Sequence, residues 1–251
     1  MNISISTMGL YPAKISDVLD FLERVNVEFL ELVREYPYHD LYCDDFNSHS
    51  VALSIHAPIS DINIASHIDN IRRASIKEME ETFRMANELD AECVVVHPGK
   101  IPKMALKFTD KILKYNTQSI LECKRLAEDY GVTMCLENMP LEDGLLYSNL
   151  EALFDFSQEN DVKLTLDVGH AHNCGYSVEE MFESENIRHV HLSDNDGSHD
   201  AHMALGTCDV DFEGVFHVLE SKGYDGICTV EVKSVKGVYD SLDYLKNIKR
   251  L

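Results

Sequence analysis

Cys93-Val94-Val95-Val96-His97-Pro98-Gly99 is a short β-branched run that stops on a histidine and is turned aside at once by proline and glycine. An apolar run of this length, uninterrupted until its end, is what a strand covered on both faces requires. Working outward in both directions, the same shape recurs. Strands are expected over residues 2–6, 27–32, 51–56, 93–97, 133–137, 163–167, 188–192 and 227–232. Helical spacing lies between them, in Ile15, Val18, Leu19, Leu22 and Val25, and again in Ile71, Ala74, Ile76, Met79, Phe83 and Ala86. Further helices are expected over 112–130, stopped by Gly131, and over 149–157, 178–183, 212–222 and 241–248. Eight strands alternating with helices predict an α/β fold, a (β/α)8 TIM barrel, with 1–251 as one domain. An open doubly wound sheet is the alternative, but it gathers its site from a few strands at a switch point. Here polar residues end strands three to eight, which favours closure.

Those strand ends carry the chemistry. His56 closes Leu53-Ser54-Ile55-His56, with Ala57-Pro58 after it, and His97 closes the run quoted above. Glu137 ends Thr133-Met134-Cys135-Leu136-Glu137, where a carboxylate without a partner is costly to bury. In Asp167-Val168-Gly169-His170, Gly169 is expected to allow a tight turn that folds His170 back beside Asp167; Asp167 as a plain helix N-cap is the competing reading. His189-Val190-His191 points two imidazoles to one face, and His191 lies nearer the strand end, leaving His189 as a supporting or core residue. Asp200-Ala201-His202 sits in a polar loop, and Glu231 ends the last strand. Carboxylates and imidazoles together suit zinc, manganese or iron and are too rich in histidine for calcium. No paired cysteines offer an all-thiolate zinc site.

Composition narrows the partners. The 251 residues carry 44 acids against 22 bases, a net charge of −22. That balance disfavours polyanions, whose binding draws much of its affinity from Lys and Arg. The loops 57–70, 138–149 and 193–210, all expected on the site face, hold no Lys or Arg. They carry acids instead, Glu142 and Asp143 in the second and Asp194, Asp196, Asp200 and Asp209 in the third. Basic residues gather only as Lys100, Lys103 and Lys107, with Lys14, Arg34, Lys233 and Lys236 placed near them by the strand pattern. That is thin for nucleic acid and enough for one phosphate monoester, for which Lys233, two residues past Glu231, is the best placed. Seven cysteines without CxxC spacing fit a reducing compartment better than a disulfide framework. The start MNISISTMGLYPAK has no basic, then apolar, leader, and no stretch reaches the ~18 apolar residues of a membrane span. A cytoplasmic protein, free to form oligomers, is expected.

The set His56-Ala57-Pro58, His97-Pro98-Gly99, Glu137-Asn138, Asp167-Val168-Gly169-His170, His191-Leu192-Ser193-Asp194 and Leu205-Gly206 resembles the xylose isomerase-like TIM-barrel superfamily. That group includes sugar isomerases, sugar epimerases and endonuclease IV, and the resemblance runs from the first strand to Glu231. The epimerase branch implies one divalent metal on Glu137, Asp167, His191 and Glu231, with Glu137 and Glu231 exchanging a proton at the substrate carbon. The endonuclease branch implies three zincs on nine groups, adding His56, His97, His170, Asp200 and His202. Two departures stand out. Ile59-Ser60 replaces the aromatic–apolar pair that enters DNA, and Thr207-Cys208 replaces a usual Glu-Gly pair.

Three functions follow. A metal-dependent sugar or sugar-phosphate isomerase or epimerase would polarise a carbonyl, remove the adjacent proton with Glu137 or Glu231 and stabilise an enediolate. His170 would serve the same chemistry, with His56, His97 and Lys233 contacting substrate. A multi-zinc phosphodiesterase on abasic DNA is the alternative. A catalytically idle barrel is disfavoured by the number of costly ligand-type groups. The isomerase or epimerase, using one to three divalent ions, is the expectation.

Overall fold

The computed structural model describes residues 1–46 and 49–251. Eight parallel strands close into one barrel in sequence order. They are β1 (Asn2–Ser6), β2 (Phe29–Val33), β3 (Ala52–His56), β4 (Val94–Val96), β5 (Met134–Glu137), β6 (Lys163–Asp167), β7 (Ile187–Leu192) and β8 (Ile227–Val230). Closure is explicit in β1, which pairs with β2 on one side and with β8 on the other.

The helices are α1 (Ile15–Val25), α2 (Asp69–Glu88), α3 (Thr109–Asp129), α4 (Leu150–Asn160), α5 (Val168–Asn173), α6 (Val178–Met181), α7 (Phe212–Ser221) and α8 (Val235–Asn247). Among the described residues, the β2–β3 connection carries only the 3-10 turn Cys43–Asp45. The caps explain the boundaries. Asn149 accepts from the Ala152 amide to start α4. Ser177 and Glu180 form a capping box at α6. Gly131 follows α3 at φ +72°, where a side chain is strained. Phe83, Phe182, Phe212 and Phe216 are fully buried in the apolar core that includes the outward strand faces.

The inward faces of most strands are polar. Side chains alternate along a strand, so counting back two residues from each strand-end group reaches the next inward position. Ser54 lies below His56, Thr165 below Asp167, His189 below His191 and Thr229 below Glu231, and all four are buried. On β2 the corresponding residue is Glu31, two before Val33. These strands alternate apolar outward and polar inward, whereas β4 and β5 place Val95 and Cys135 at the same inward level and are apolar on both faces there. None of the described helices is long and apolar enough to cross a membrane.

Candidate metal centre

Four strand ends bring Glu137, Asp167, His191 and Glu231 together, with exposures of 1%, 0%, 0% and 3%. One ligand atom from each lies within 4.8 Å of all the others. His191 Nδ1 is 3.2 Å from Glu137 Oε1, 3.3 Å from Glu231 Oε2 and 3.8 Å from Asp167 Oδ2. Ligand bonds of ~2.1 Å around a tetrahedral ion place neighbouring ligand atoms about 3.4 Å apart. Asp167 Oδ2 is fully buried and accepts no hydrogen bond. An orphaned carboxylate oxygen in a dry site costs stability, and a cation removes that cost. The donor set and the orphan both fit a divalent transition metal.

Local structure sets Asp167. Its Oδ1 caps α5, accepting from the His170 amide at 2.7 Å, so the cap and the centre use different oxygens of one carboxylate. The Asn138 side chain brackets the Asp167 backbone, accepting from its amide at 2.7 Å and donating to its carbonyl at 3.0 Å. The tight turn expected of Gly169 is not what the structure holds. Gly169 is helical, and its role is packing, because a Cβ there would lie 2.3 Å from Ser193 Oγ.

The other five residues surround this core. His97 Nε2 is 2.9 Å and His56 Nε2 3.4 Å from Glu137 Oε2. Asp200 Oδ2 lies 2.8 Å from His202 Nε2 and 3.5 Å from His170 Nε2. Backbone carbonyls fix three of the rings. Nδ1 of His56 faces the Ala57 carbonyl at 2.7 Å, that of His170 the Asn138 carbonyl at 2.8 Å, and that of His202 the Glu231 carbonyl at 3.0 Å. A carbonyl only accepts, so each Nδ1 carries a proton and each Nε2 is turned to the centre. The groups His56–His97–Glu137 and His170–Asp200–His202 each have the spacing to hold an ion.

Electrostatics follow from this crowding. Burial works against the charged form of Glu137, but His97, His191 and His56 hold its carboxyl well below the usual range. Burial lifts Asp167 to about 6 against the pull of His170, with Glu137 and Glu231 adding to the rise. Burial opposes protonation of His56, His170 and His202, yet the carboxylates facing them raise these to about 9, 10 and 9. His97 goes the other way, because burial together with His56 and His170 outweighs Glu137. Without metal the site is a store of protons that an ion displaces on binding.

Two charges that the sequence places near the site face are structural. Asp194 is fully buried and accepts from the amides of Thr207, Cys208 and Val210 at 2.9, 2.8 and 3.1 Å. It shapes the loop that delivers Asp200 and His202. Arg34 is buried against Thr82, Glu78 and the His39 carbonyl, so it offers nothing to a phosphate. Lys233 is exposed, its Nζ 3.3 Å from the Asp200 carbonyl.

A cavity of about 220 Å³ opens over the centre. Met8, Val33, Ile59, Met139, Pro140 and Leu145 wall it; His56, His97, Glu137, His170, His202 and Glu231 supply its polar surface, with Asp200 and Glu142. No Lys or Arg among the described residues lines it, Lys233 included. The residue that sequence reasoning missed is Glu31. It is fully buried, with His189 Nε2 at 2.7 Å and His191 Nε2 at 3.0 Å. The signal was a lone glutamate within an otherwise apolar strand.

A closed parallel barrel with carboxylates and imidazoles converging from its strand ends defines a metal-capable TIM-barrel protein. Residues 20–248 match the model of the xylose isomerase-like TIM barrel family, and the chain belongs to that family. It is 32% identical over 259 residues to an uncharacterized protein of Methanocaldococcus jannaschii, covering 98% of this chain and 88% of that one. The crystal structure of a D-tagatose 3-epimerase-like protein superposes with a TM-score of 0.88 at 30% identity, covering 98% of this chain and 96% of the other. Fructoselysine 3-epimerase of Escherichia coli O157:H7 is 23% identical over 172 residues, covering 65% of this chain and 61% of that protein.

Proposed function

We propose that this protein is a divalent-metal-dependent isomerase or epimerase of a small, uncharged sugar. The observation that carries the reading is the orphaned Asp167 Oδ2 within a ring of Glu137, His191 and Glu231. The names of two relatives, a D-tagatose 3-epimerase-like protein and fructoselysine 3-epimerase, support the sugar class. A bound zinc, manganese or iron ion supplies Lewis acidity toward a carbonyl and the hydroxyl beside it.

The chain's own residues do the rest. Glu137 and Glu231 both line the cavity and both lie within 3.3 Å of His191 Nδ1. One carboxylate takes the proton from the carbon next to the carbonyl, and the other returns a proton to that carbon. His170 lines the cavity with its Nδ1 held by the Asn138 carbonyl and its Nε2 turned to the centre, where it, His56 and His97 orient substrate oxygens. The apolar walls exclude water from the exchanging proton. The cavity is smaller than the roughly 300–1,000 Å³ of drug-sized pockets. Its own lining lacks Lys and Arg and carries Glu142, which favours an uncharged substrate; Lys100 lines the adjoining cavity, which shares Ile59, His97, Met139 and Leu145 with this one.

The test is proton exchange. Protein supplied with zinc, manganese or iron is incubated with a panel of free ketoses and their phosphates in deuterated water. Deuterium is expected beside the carbonyl of a free ketose, lost with chelator and restored by metal. A second reading, a multi-zinc phosphodiesterase on abasic DNA, draws support from the two additional ion-sized groups around His56 and Asp200. Three zincs per chain and chelator-sensitive incision of abasic duplex, without exchange into any sugar, would replace the first reading by the second.

A further inference from the structure

Among the histidines of the centre, His191 is turned the opposite way. His56, His170 and His202 hand Nδ1 to a backbone carbonyl and present Nε2. His191 presents Nδ1 to Glu137, Asp167 and Glu231, and its Nε2 points down the barrel axis. No carbonyl receives that nitrogen. It meets Glu31, with Oε1 at 3.0 Å and Oε2 at 3.2 Å.

Glu31 is itself fixed from three directions. Ser54 Oγ donates to Oε2 at 3.1 Å, and His189 Nε2 lies 2.7 Å from the same oxygen. The backbone register holds Glu31 of β2 directly beside Ser54 of β3. All four groups, Glu31, Ser54, His189 and His191, are buried to 1% exposure or less. A glutamate placed here with no task beyond packing is a costly choice in a barrel interior. A rotation of the His191 ring that exchanged its nitrogens would withdraw this proton donor from Glu31 and turn an N–H toward the ring of carboxylates.

We propose that Glu31 is a positioning residue for the metal centre, which holds His191 with its proton on Nε2 and its Nδ1 lone pair directed at the ion. His189 and Ser54 act one step further out, by holding Glu31. The inference rests on His191 being a ligand, as in the function proposed above. A carboxylate behind a ligating imidazole fixes its tautomer and makes it a better donor, and loss of such a partner typically weakens metal binding about 10–100-fold.

The experiment compares zinc affinity, by competition with a chromophoric chelator, in the parent and in Glu31→Gln, which keeps the size and removes the charge. Thermal melts and circular dichroism of the same samples report folding. Zinc binding about 10–100-fold weaker in a folded Glu31→Gln is expected, with a smaller loss in His189→Gln. A folded Glu31→Gln that melts lower but binds zinc within about twofold of the parent marks a purely structural carboxylate and overturns the proposal. A second measurement does not depend on any variant folding. In zinc-loaded parent protein labelled with nitrogen-15 at histidine, His191 should show its proton on Nε2 and metal on Nδ1. The reverse assignment overturns the proposal even where zinc binds. A parent that binds no zinc, manganese or iron removes the metal reading first and this inference with it, so the two failures are distinct.

Discussion

The barrel interior holds two polar layers, one above the other, and they treat buried charge differently. In the lower layer the charge is matched by protein alone, with Ser54, His189 and His191 converging on Glu31. In the upper layer three carboxylates share His191, and Asp167 Oδ2 is left without a hydrogen bond. The carboxylates of both layers are almost fully buried, so burial alone does not distinguish them. What distinguishes them is the balance of charge: one carboxylate faces two imidazoles below, whereas three carboxylates crowd one imidazole above. A carboxylate matched by imidazoles stiffens a fold, whereas an excess of carboxylates is built to receive a cation.

The largest effect tests that contrast directly. Asp167→Asn keeps a cap for α5 but removes the charge that faces the centre. Metal retention and proton exchange should be lost, exchange by about 10²-fold or more, while the melting temperature of the metal-free protein holds or rises. Asp167→Ala should lose metal equally and also about 1 kcal/mol of stability with its cap. Metal analysis and melts on both variants separate the two oxygens. An Asp167→Asn protein with full metal content would erase the distinction between the layers.

A second effect is set by pH. His56, His170 and His202 have folded pKa values of about 9, 10 and 9, above the ~6.5 of an unfolded histidine. Their stabilisation is complete below pH ~6.5 and is lost as pH rises through 9 to 10. Asp167 adds the same trend at lower pH, because its burial opposes ionisation as pH rises from ~3.9 to about 6. The metal-free protein should therefore melt progressively lower between pH 6.5 and 10, all other charges being equal. Metal affinity should rise across the same window, because the ion displaces those protons. Melts in chelator and in metal at pH 6, 8 and 10 read both; a metal-free melting temperature that climbs with pH would contradict the protonated upper layer.

The smallest effect lies outside both layers. Lys233→Met should leave stability within about 0.5 kcal/mol and the KM for a free ketose nearly unchanged, since Lys233 does not line the cavity. A KM for a ketose phosphate that rises about tenfold in this variant, roughly 1.4 kcal/mol, would return the phosphate role to Lys233.

The fold was largely legible because most strands end on or beside a polar residue that interrupts the apolar run. Residues 2–6 and 163–167 were placed to the residue as β1 and β6, and Gly131 closes α3 as expected. Six of the ligand-type groups, His56, His97, Glu137, Asp167, His191 and Glu231, were legible at strand ends for the same reason, whereas His170 came from its motif and Asp200 and His202 from the family resemblance. Glu31 was not legible, because it interrupts β2 in mid-strand and nothing local says which face is inward. The structural roles of Asp194 and Arg34 were not legible, because Asp194's amide partners and Arg34's partner Thr82 lie 13 to 48 residues away in sequence. Gly169 was read as a turn, since the neighbour that requires glycine, Ser193, belongs to the next strand's loop.

The clasp formed by Asp194 has a consequence in solution. Residues 204–210 form neither helix nor strand, and Cys208 is exposed, so rapid solvent exchange of their amides would be the ordinary outcome. Yet the amides of Thr207, Cys208 and Val210 all end on one buried carboxylate. Opening any of them exposes a charge already inside the barrel rim, so the three open together or not at all. Hydrogen–deuterium exchange should therefore find the Thr207, Cys208 and Val210 amides protected well beyond an ordinary irregular segment.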